Sequence, residues 1–287
     1  MPEGDTLFRT AAVLREALAG REVTAARGRP DGVKLGMTVG SRVNGVAARG
    51  KHLLIEFSNG LTLHTHLRMH GSWHRYRPAE RWRRTPARAV AVIEVADAVA
   101  VCFDAPTVEL LDTRAVALHP ALSALGPDLL ATAPDLEGAF HRLREPPRAA
   151  LTLGEALLDQ TAQAGLGNVY RSEVCFIDRL DPFAPVERFA DARLRRALET
   201  SRRLIVANRM TPDRTTTPDA LGGAPGSGGP HRGPKRYVYG RTGRPCLRCG
   251  TPIRSRVAGE LPRRAYWCPS CQPPGAGTRT GAVATVG

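Results

Sequence analysis

The chain has 287 residues, 42% of them hydrophobic, which is enough for two modest domains and a small additional module. No apolar run approaches the roughly 18 residues that a membrane span needs, and the first residues lack a secretory-signal pattern. We therefore expect a soluble cytoplasmic protein with no membrane partner. The net charge of +14 and the pI of about 10.5 favour a polyanionic partner.

The first predicted elements are a helix and a set of strands. Residues 3–19 are expected to form an amphipathic helix, because apolar residues recur at helical spacing and Gly20 follows. Ser58-Asn59-Gly60 is a strong hairpin signal, since Asn-Gly accepts positive φ at little cost. The pattern predicts strands at residues 51–57 and 61–67, which flank this turn, and a further strand pair at residues 89–95 and 99–103.

From about Pro120 the pattern becomes helical, with helices predicted at residues 151–160, 168–176 and 190–207. The most informative run is Gln160 to Glu173. A helix is expected to end near Ala164, glycines then permit a tight turn, and Asn168 is placed to cap the next helix. Backbone N–H groups at that helix start would form a phosphate site. An ordinary helix–helix turn explains this segment equally well on its own.

Two later segments lack periodicity. Residues 211–234 are rich in Gly, Pro and Thr and predict a flexible loop. Residues 272–287 show no apolar periodicity and predict a disordered tail.

Between these two segments lie four cysteines at C-x2-C-x18-C-x2-C spacing: Cys246, Cys249, Cys268 and Cys271. This spacing is typical of one tetrahedral zinc ion with four thiolate ligands, and the intervening arm is long enough for a short β-hairpin. A disulfide framework is the alternative, which a reducing compartment disfavours. Because all four ligands are sulfur, we expect the zinc to be structural.

The charge around these cysteines is strongly basic. Nine basic residues lie between Pro234 and Cys271 against one acid, Glu260, a net charge of +8: Lys235, Arg236, Arg241, Arg244, Arg248, Arg254, Arg256, Arg263 and Arg264. Four thiolates and one Zn²⁺ reduce this charge to about +6. A solvated basic face is the alternative. Interleaved aromatic residues favour nucleic-acid binding instead, with a steep dependence on salt.

The N-terminus, Met1-Pro2-Glu3, suggests chemistry. Removal of Met1 would leave Pro2 with a secondary amine, and the pKa of an α-amine is about 7.7–8.0, so a useful fraction is neutral at pH 7. Such an amine can attack the C1′ carbon of a sugar and form an iminium. Glu3 could then transfer protons to the opening sugar. Proline at position 2 is a weak signal by itself.

Together these features resemble the formamidopyrimidine-DNA glycosylase and endonuclease VIII family over nearly the whole chain. Four motifs carry the resemblance: Pro2-Glu3-Gly4, Arg49-Gly50-Lys51-His52-Leu53, the run from Gln160 to Glu173, and the segment from Val238 to Cys271. By resemblance, Pro2 is the nucleophile, Glu3 the acid and Lys51 a proton donor in strand elimination. Asn168 is a phosphate ligand, and Arg263 binds phosphate and assists the second elimination.

The resemblance also implies an architecture and a partner. The fold is expected to be α+β: an N-terminal helix plus a β-sandwich, then a helical helix–two-turn–helix domain with a C-terminal β-hairpin zinc finger. The expected domains are 1–121, 122–210, the loop 211–234, the finger 235–271 and the tail 272–287. The partner is damaged DNA, duplex or single-stranded, bound in the cleft between the two large domains. A monomer associated with the nucleoid is expected.

Loop sequences indicate which branch of the family the chain resembles. His66 to Gly71 resembles the loop that fills the gap left by a flipped nucleotide, with Met69 as the wedge and Arg68 and His70 beside it. The Arg-Phe-Gly wedge of the oxidised-guanine branch is not evident at residues 103–107. Leu118-His119-Pro120 and Leu125-Gly126-Pro127-Asp128 resemble the endonuclease VIII side. This favours oxidised pyrimidines and abasic sites as substrates.

A histidine group invites a second metal site. His64, His66, His70 and His74 lie within eleven residues, and two of them alternate on one strand face. The group lacks accompanying carboxylates, so packing or DNA contact is preferred.

Three functions are compatible with the sequence. The first is a bifunctional DNA glycosylase and abasic-site lyase in base excision repair, which excises the base and then performs β- and δ-elimination. The second is a zinc-finger protein that binds damaged DNA without catalysis. The third is an abasic-site lyase with little glycosylase activity.

Overall fold

The computed structural model describes residues 2–217, 234–258 and 263–278, and the chain divides into two compact units, Met1–Leu125 and Gly126–Gly287. The division falls after Leu125 rather than after residue 121. Within the first unit, the Arg49 guanidinium donates to the carbonyl of Leu122 at 3.3 Å. Within the described ranges, no helix has the length and apolar character that crossing a membrane requires.

The first unit begins with helix α1 (Gly4–Leu18), which confirms the predicted amphipathic helix. Leu7, Leu14 and Leu18 are buried on one face and pack into the core of the unit. Burial of a leucine side chain contributes about 1.5–3 kcal/mol, so this face anchors the start of the chain.

The strands of the first unit form a β-sandwich. They are β1 (Ala25–Gly28), β2 (Val43–Arg49), β3 (His52–Phe57), β4 (Leu61–His66), β5 (Ser72–Tyr76), β6 (Ala89–Val95), β7 (Ala98–Phe103) and β8 (Thr107–Asp112). One antiparallel sheet has the order β2-β3-β4-β8 and the other β1-β6-β7-β5. The predicted pairs β3–β4 and β6–β7 are confirmed, and Gly60 in the first turn has a φ of 82°.

Short helices complete this unit. Helices α2 (Thr113–Leu118) and α3 (Pro120–Ser123) follow β8, and 3-10 turns lie at Leu35–Thr38 and Pro86–Arg88. The side chain of Asp112 caps α2 by accepting the N–H of Ala115 at 2.7 Å.

The second unit is helical. Its helices are α4 (Leu136–Arg144), α5 (Pro146–Ala149), α6 (Leu153–Ala156), α7 (Asn168–Ile177) and α8 (Asp191–Asn208), with a 3-10 turn at Val186–Arg188. The expected helices near 168–176 and 190–207 are confirmed by α7 and α8. Their core includes Tyr170, Leu194 and Leu198, all buried.

The helix expected over residues 151–160 is much shorter, and its predicted end near Ala164 was wrong. Thr152 and Glu155 form a capping box that starts α6. The carboxylate of Asp159 then accepts both the N–H and the hydroxyl of Thr161, at 2.9 and 2.7 Å. These side-chain hydrogen bonds favour a local turn over a continued helix, so the helix ends early.

The cysteine segment forms the expected hairpin. Strands β9 (Arg254–Ala258) and β10 (Arg263–Trp267) pair antiparallel. Phe176 of α7 packs with Val238 and Ile253 in a small apolar core beneath it. The fold class is therefore α+β, with a β-sandwich unit, a helical unit and a terminal hairpin, as predicted.

The segments without periodicity are partly packed. Thr215, Thr216 and Thr217 at the start of the expected loop are buried, and the N–H of Thr215 donates to the Asn208 side chain at 2.7 Å. Residues 218–233 lie outside the described residues. In the expected tail, Gln272 is buried and donates to the carbonyl of Leu180 at 2.9 Å. Residues 279–287 also lie outside the described residues.

Candidate active site and DNA-binding elements

Pro2 and Glu3 lie at the start of α1. Pro2 is half-buried, while the Glu3 side chain is fully buried. The Glu3 carbonyl accepts the N–H groups of Thr6 and Leu7 at 2.9 and 3.1 Å and thereby begins the helix. The positive end of the helix dipole disfavours a protonated amine at this point and favours a carboxylate. The helix thus fixes a carboxyl group next to the residue predicted as nucleophile.

Lys51 occupies the turn between β2 and β3. Gly50 adopts a φ of 57°, and Arg49 pairs with His52 across the turn. Lys51 is half-buried and lies close to His66 in β4. Burial, together with the positive charges of Arg68 and Lys51, lowers the pKa of His66 to about 4. His66 is therefore a neutral neighbour of the Lys51 ammonium at pH 7.

The turn after β4 presents the three predicted wedge residues to solvent. Arg68 has a φ of 46°, and its N–H donates to Nδ1 of His66 at 3.2 Å. Met69 is 47% exposed, although large apolar side chains are usually covered. Gly71 closes the turn, because a Cβ there would lie 2.6 Å from the Leu67 carbonyl oxygen. The structure thus places Arg68, Met69 and His70 together on one protruding turn.

The other candidate wedge position is held by ion pairs. Asp104 has a φ of 54° and pairs with Arg84 and Arg88, both at 2.7 Å. Hydrogen bonding by Arg88, with Arg84 beside it, lowers the pKa of the Asp104 carboxyl. The acid is therefore used to fix this turn, and no Arg-Phe-Gly element stands there.

The four clustered histidines of the sequence do not share one site. His70 lies on the exposed turn. Nδ1 of His74 in β5 forms a hydrogen bond of 2.8 Å with the Tyr76 hydroxyl, as expected for a histidine with a packing role. His64 instead joins His52, Glu109 and His119, partners that sequence reasoning missed because they lie far apart in the chain. The sequence signal that could have revealed this group was the alternation of His64 and His66 along β4, with Glu109 on the strand that pairs with it. Burial lowers the pKa of His52 to about 3.

In the helical unit, Gln160 and Asn168 organise the turn before α7. The Gln160 amide donates to the carbonyls of Leu158 and Leu166, and its oxygen accepts the N–H of Gly165. The predicted capping role of Asn168 was wrong, because Gly167 is the capping residue and Asn168 is the first helical residue.

The Asn168 side chain has a different role in the fold. It is buried, and its amide donates to the carbonyl of Arg264 in β10 at 3.0 Å. Arg171 donates to the Asn168 oxygen and also to the Arg264 carbonyl, at 3.2 Å for the latter. The start of α7 is thus joined to the strand that carries Arg263, the first residue of β10.

Glu173 is a buried anchor that sequence reasoning overlooked. One carboxylate oxygen accepts the N–H groups of Val238 and Tyr239, at 2.9 and 2.8 Å. The other accepts the N–H of Tyr237 at 2.8 Å and the hydroxyl of Thr216. The only sequence signal for a buried role of Glu173 was its position among the apolar residues of α7.

The four cysteines converge as predicted. Their sulfurs lie within 4.8 Å of one another, with distances of 3.5 Å from Cys249 to Cys268 and 3.9 Å from Cys246 to Cys271. A tetrahedral zinc with bonds of about 2.3 Å would separate its sulfurs by about 3.8 Å. None of the six cysteines forms a disulfide. The cluster can therefore hold a zinc ion.

The arginines around the cysteines serve two purposes. Arg248 stacks on Phe176 at 4.4 Å and Arg256 on Phe183 at 3.6 Å, so both contribute to packing. Arg244, Arg254 and Arg264 are exposed and can meet an anionic partner. The predicted basic surface is thus present, but part of its charge also supports the fold.

Comparison with known proteins agrees with this geometry. Residues 1–117 match the formamidopyrimidine-DNA glycosylase N-terminal domain. The chain is 43% identical over 288 residues to a probable endonuclease 8 2 of Streptomyces coelicolor, covering 98% of both chains. It is 39% identical over 275 residues to the DNA-(apurinic or apyrimidinic site) lyase Nei2 of Mycolicibacterium smegmatis, covering 95% of this chain and 99% of that one.

A solved structure supports the same fold. Lactococcus lactis Fpg, in complex with DNA containing an abasic site, superposes with a TM-score of 0.77 at 21% identity and covers 94% of this chain and 99% of that chain. The extent and identity of the relatives exceed what a shared fold alone requires. The chain therefore belongs to the formamidopyrimidine-DNA glycosylase and endonuclease VIII family, on its endonuclease VIII side.

Proposed function

We propose that the protein is a bifunctional DNA glycosylase and abasic-site lyase of base excision repair. The observation that carries the proposal is the buried Glu3 at the start of α1, directly beside Pro2, in a chain that matches endonuclease 8 relatives from end to end. A carboxyl group and a secondary amine at one helix start are the two groups that Schiff-base chemistry on a sugar needs.

Pro2 is the nucleophile once Met1 is removed. Its nitrogen lone pair attacks C1′, and the damaged base leaves with the electrons of the glycosidic bond. The Glu3 carboxylate takes the proton that the attacked nitrogen releases and passes it to the ring oxygen, as the nitrogen lone pair breaks the C1′–O4′ bond and leaves an iminium between Pro2 and the open sugar. The rigid start of α1 holds both groups in position, so little entropy is lost as the bond forms.

Lys51 and Arg263 serve the elimination steps. Loss of a proton from C2′ breaks the C3′–O bond, and the 3′ phosphate leaves. Lys51 is the proton donor in this strand elimination. His66 beside it is neutral at pH 7 and so adds no second positive charge. Arg263, at the start of β10, stabilises the phosphate that departs in the second elimination.

Each unit carries residues proposed to contact DNA. Arg68, Met69 and His70 fill the gap left by the flipped nucleotide, with the exposed Met69 as the wedge. Asn168 binds a backbone phosphate together with the N–H groups at the start of α7. Because Arg171 and Arg264 fix its side chain, a loss of Asn168 would also loosen the hairpin.

One structural Zn²⁺ is held by Cys246, Cys249, Cys268 and Cys271. Four thiolates leave no open coordination position, so the ion supplies folding energy rather than chemistry. It holds the two knuckles that carry β9 and β10.

The preferred substrates are oxidised pyrimidines and abasic sites. The paired Asp104 supports this preference, because the turn after β7 is fixed by ion pairs to Arg84 and Arg88 and offers no aromatic wedge of the oxidised-guanine branch. The protein acts as a monomer in the cytoplasm, at the nucleoid, where its DNA substrate lies.

The proposal is tested with two duplexes that differ only in the lesion. One contains thymine glycol and the other a preformed abasic site. The account predicts base release from the first and strand cleavage of both, with a product that carries phosphate at both ends of the gap. Binding of either duplex without cleavage would identify a non-catalytic damage-binding protein.

A second candidate is an abasic-site lyase with little excision of bases. It is favoured by the Mycolicibacterium smegmatis relative, which is named as an abasic-site lyase. In the same experiment this candidate cleaves the abasic duplex and leaves the thymine glycol duplex intact.

A further inference from the structure

We propose that His64, Glu109 and His119 form a second metal site, which binds one divalent transition-metal ion apart from the four cysteines. The three side chains lie in the first unit, on β4, on β8 and at the junction of α2 and α3. The site needs none of the residues that the proposed excision chemistry uses.

The three donor atoms converge on one point. Glu109 Oε2 lies 2.7 Å from Nδ1 of His64 and 3.1 Å from Nε2 of His119, and all three atoms are within 4.8 Å of one another. Two imidazoles and one carboxylate form a ligand set typical of zinc and non-haem iron sites. The Glu109 side chain is 41% exposed, so water can complete the coordination.

The fold holds these ligands before any ion arrives. His64 and Glu109 are direct cross-strand partners in the β4–β8 ladder. Helix α3, which begins directly after His119, is fixed through the hydrogen bond from Arg49 to Leu122. The His64 side chain is only 1% exposed, so its ring has little freedom to turn away. A preformed site loses little conformational entropy when it binds a metal.

The surrounding hydrogen bonds suit a metal-bound histidine. Nε2 of His64 lies 2.8 Å from Nδ1 of His52, a partner that would orient the ring from behind. Nδ1 of His119 is buried and has no hydrogen-bond partner within the described part of the chain. This atom can receive the ring proton when Nε2 coordinates a metal.

The protons balance between the two forms. Without metal, the rings of His64 and His119 donate N–H bonds to Glu109. On metal binding, the His64 proton moves to Nε2 and donates to His52, whose own proton moves from Nδ1 to Nε2. The His119 proton moves to Nδ1. No proton is gained or lost, so the ion replaces two hydrogen bonds with three coordinate bonds.

Metal content of the full-length protein tests the proposal. The protein is loaded with Zn²⁺, dialysed against a weak chelator and measured by elemental analysis. We expect two zinc ions per chain in the wild type and one in Glu109→Gln and in His119→Asn. The matched control is His141→Asn, an exposed histidine of α4, which should retain two. His52→Asn should weaken the second site by about 10–100-fold.

Cobalt substitution assigns the ions to their ligands. The thiolate site gives sulfur-to-cobalt charge-transfer bands, whereas a site of two imidazoles and a carboxylate adds only weak d–d bands. A cobalt titration of the wild-type protein therefore measures the occupancy of both sites without any variant. The proposal can be tested in this way even if a variant does not fold. One ion per chain in the wild type, or a second ion that persists in Glu109→Gln and His119→Asn, would overturn the proposal.

Discussion

The carboxylate of Glu173 accepts the backbone N–H of Val238 at 2.9 Å, although the two residues lie on opposite sides of the long segment that precedes the cysteines. Tyr237, Tyr239 and Thr216 complete the shell of donors around the same buried carboxylate. Four hydrogen bonds stabilise this buried carboxylate, and the positive charge of Arg241 also interacts favourably with it. Helix α7 therefore holds the cysteine segment through one side chain.

Replacement of Glu173 by Gln should destabilise this junction. An amide nitrogen would face backbone N–H donors, and buried donors without acceptors cost about 1–3 kcal/mol each. We expect the free energy of unfolding to fall by about 2–4 kcal/mol, measured by urea denaturation of zinc-loaded protein. Glu199→Gln, at an exposed position of α8, is the control and should change it by less than about 0.5 kcal/mol. Equal stability of the two variants would contradict the anchoring role.

Asp159 should make stability depend on pH. Burial alone would raise the pKa of its carboxyl, but hydrogen bonds from Thr161 and Arg148 outweigh burial and lower it. A folded pKa below the unfolded value of about 3.9 stabilises the fold above that pH. This stabilisation is lost as the pH falls through the folded value.

The comparison with Asp159→Asn isolates this effect. The difference in unfolding free energy between wild type and variant should be constant near neutral pH and should shrink as the pH drops below about 4. Urea denaturation at a series of pH values measures it. A difference that stays the same down to pH of about 3 would show that the ionised carboxylate is not what stabilises this turn.

The zinc ion should support DNA binding only by stabilising the folded cysteine segment. Cys249→Ser removes one of four thiolates, and the remaining three bind zinc weakly. We expect loss of one zinc ion, a fall in DNA affinity of about tenfold or more, and an unchanged melting transition of the β-sandwich unit. Fluorescence anisotropy and calorimetry measure these outcomes. Unchanged DNA affinity in a zinc-depleted variant would separate the hairpin from DNA binding.

Arg254 should contribute one phosphate contact. It is exposed at the start of β9. Each phosphate contact adds about 0.9 to the slope of log affinity against log salt for duplex DNA. Arg254→Ser should therefore reduce this slope by about 0.9, whereas Arg29→Ser, at an exposed position after β1, should leave it unchanged. Equal slopes for wild type and Arg254→Ser would remove this residue from the DNA-contacting surface.

Local patterns predicted much of this molecule. The apolar spacing of α1, the Asn59-Gly60 turn and the cysteine spacing each depend on residues close in sequence, and all three are found as expected. Short-range hydrogen bonding explains the main error in the helical unit, because Asp159 and Thr161 compete with the helix for the backbone.

The long-range partners were beyond the sequence. The alternation of His64 and His66 indicates a strand face, but strand order and the path of the following helices decide that Glu109 and His119 meet His64. In the same way, Asn168 looked like a helix cap, but its amide is turned towards Arg264. Buried polar side chains are placed by tertiary structure, and their partners cannot be read from spacing.

The central claim is that the amine of Pro2 forms the covalent bond to the sugar. Borohydride added to enzyme and abasic DNA, followed by protease digestion and mass spectrometry, tests this claim directly. The account predicts a reduced adduct on a peptide that begins at Pro2, and a sharp loss of that adduct in Pro2→Gly. An adduct on Lys51 instead, or an active enzyme that still carries Met1, would contradict it.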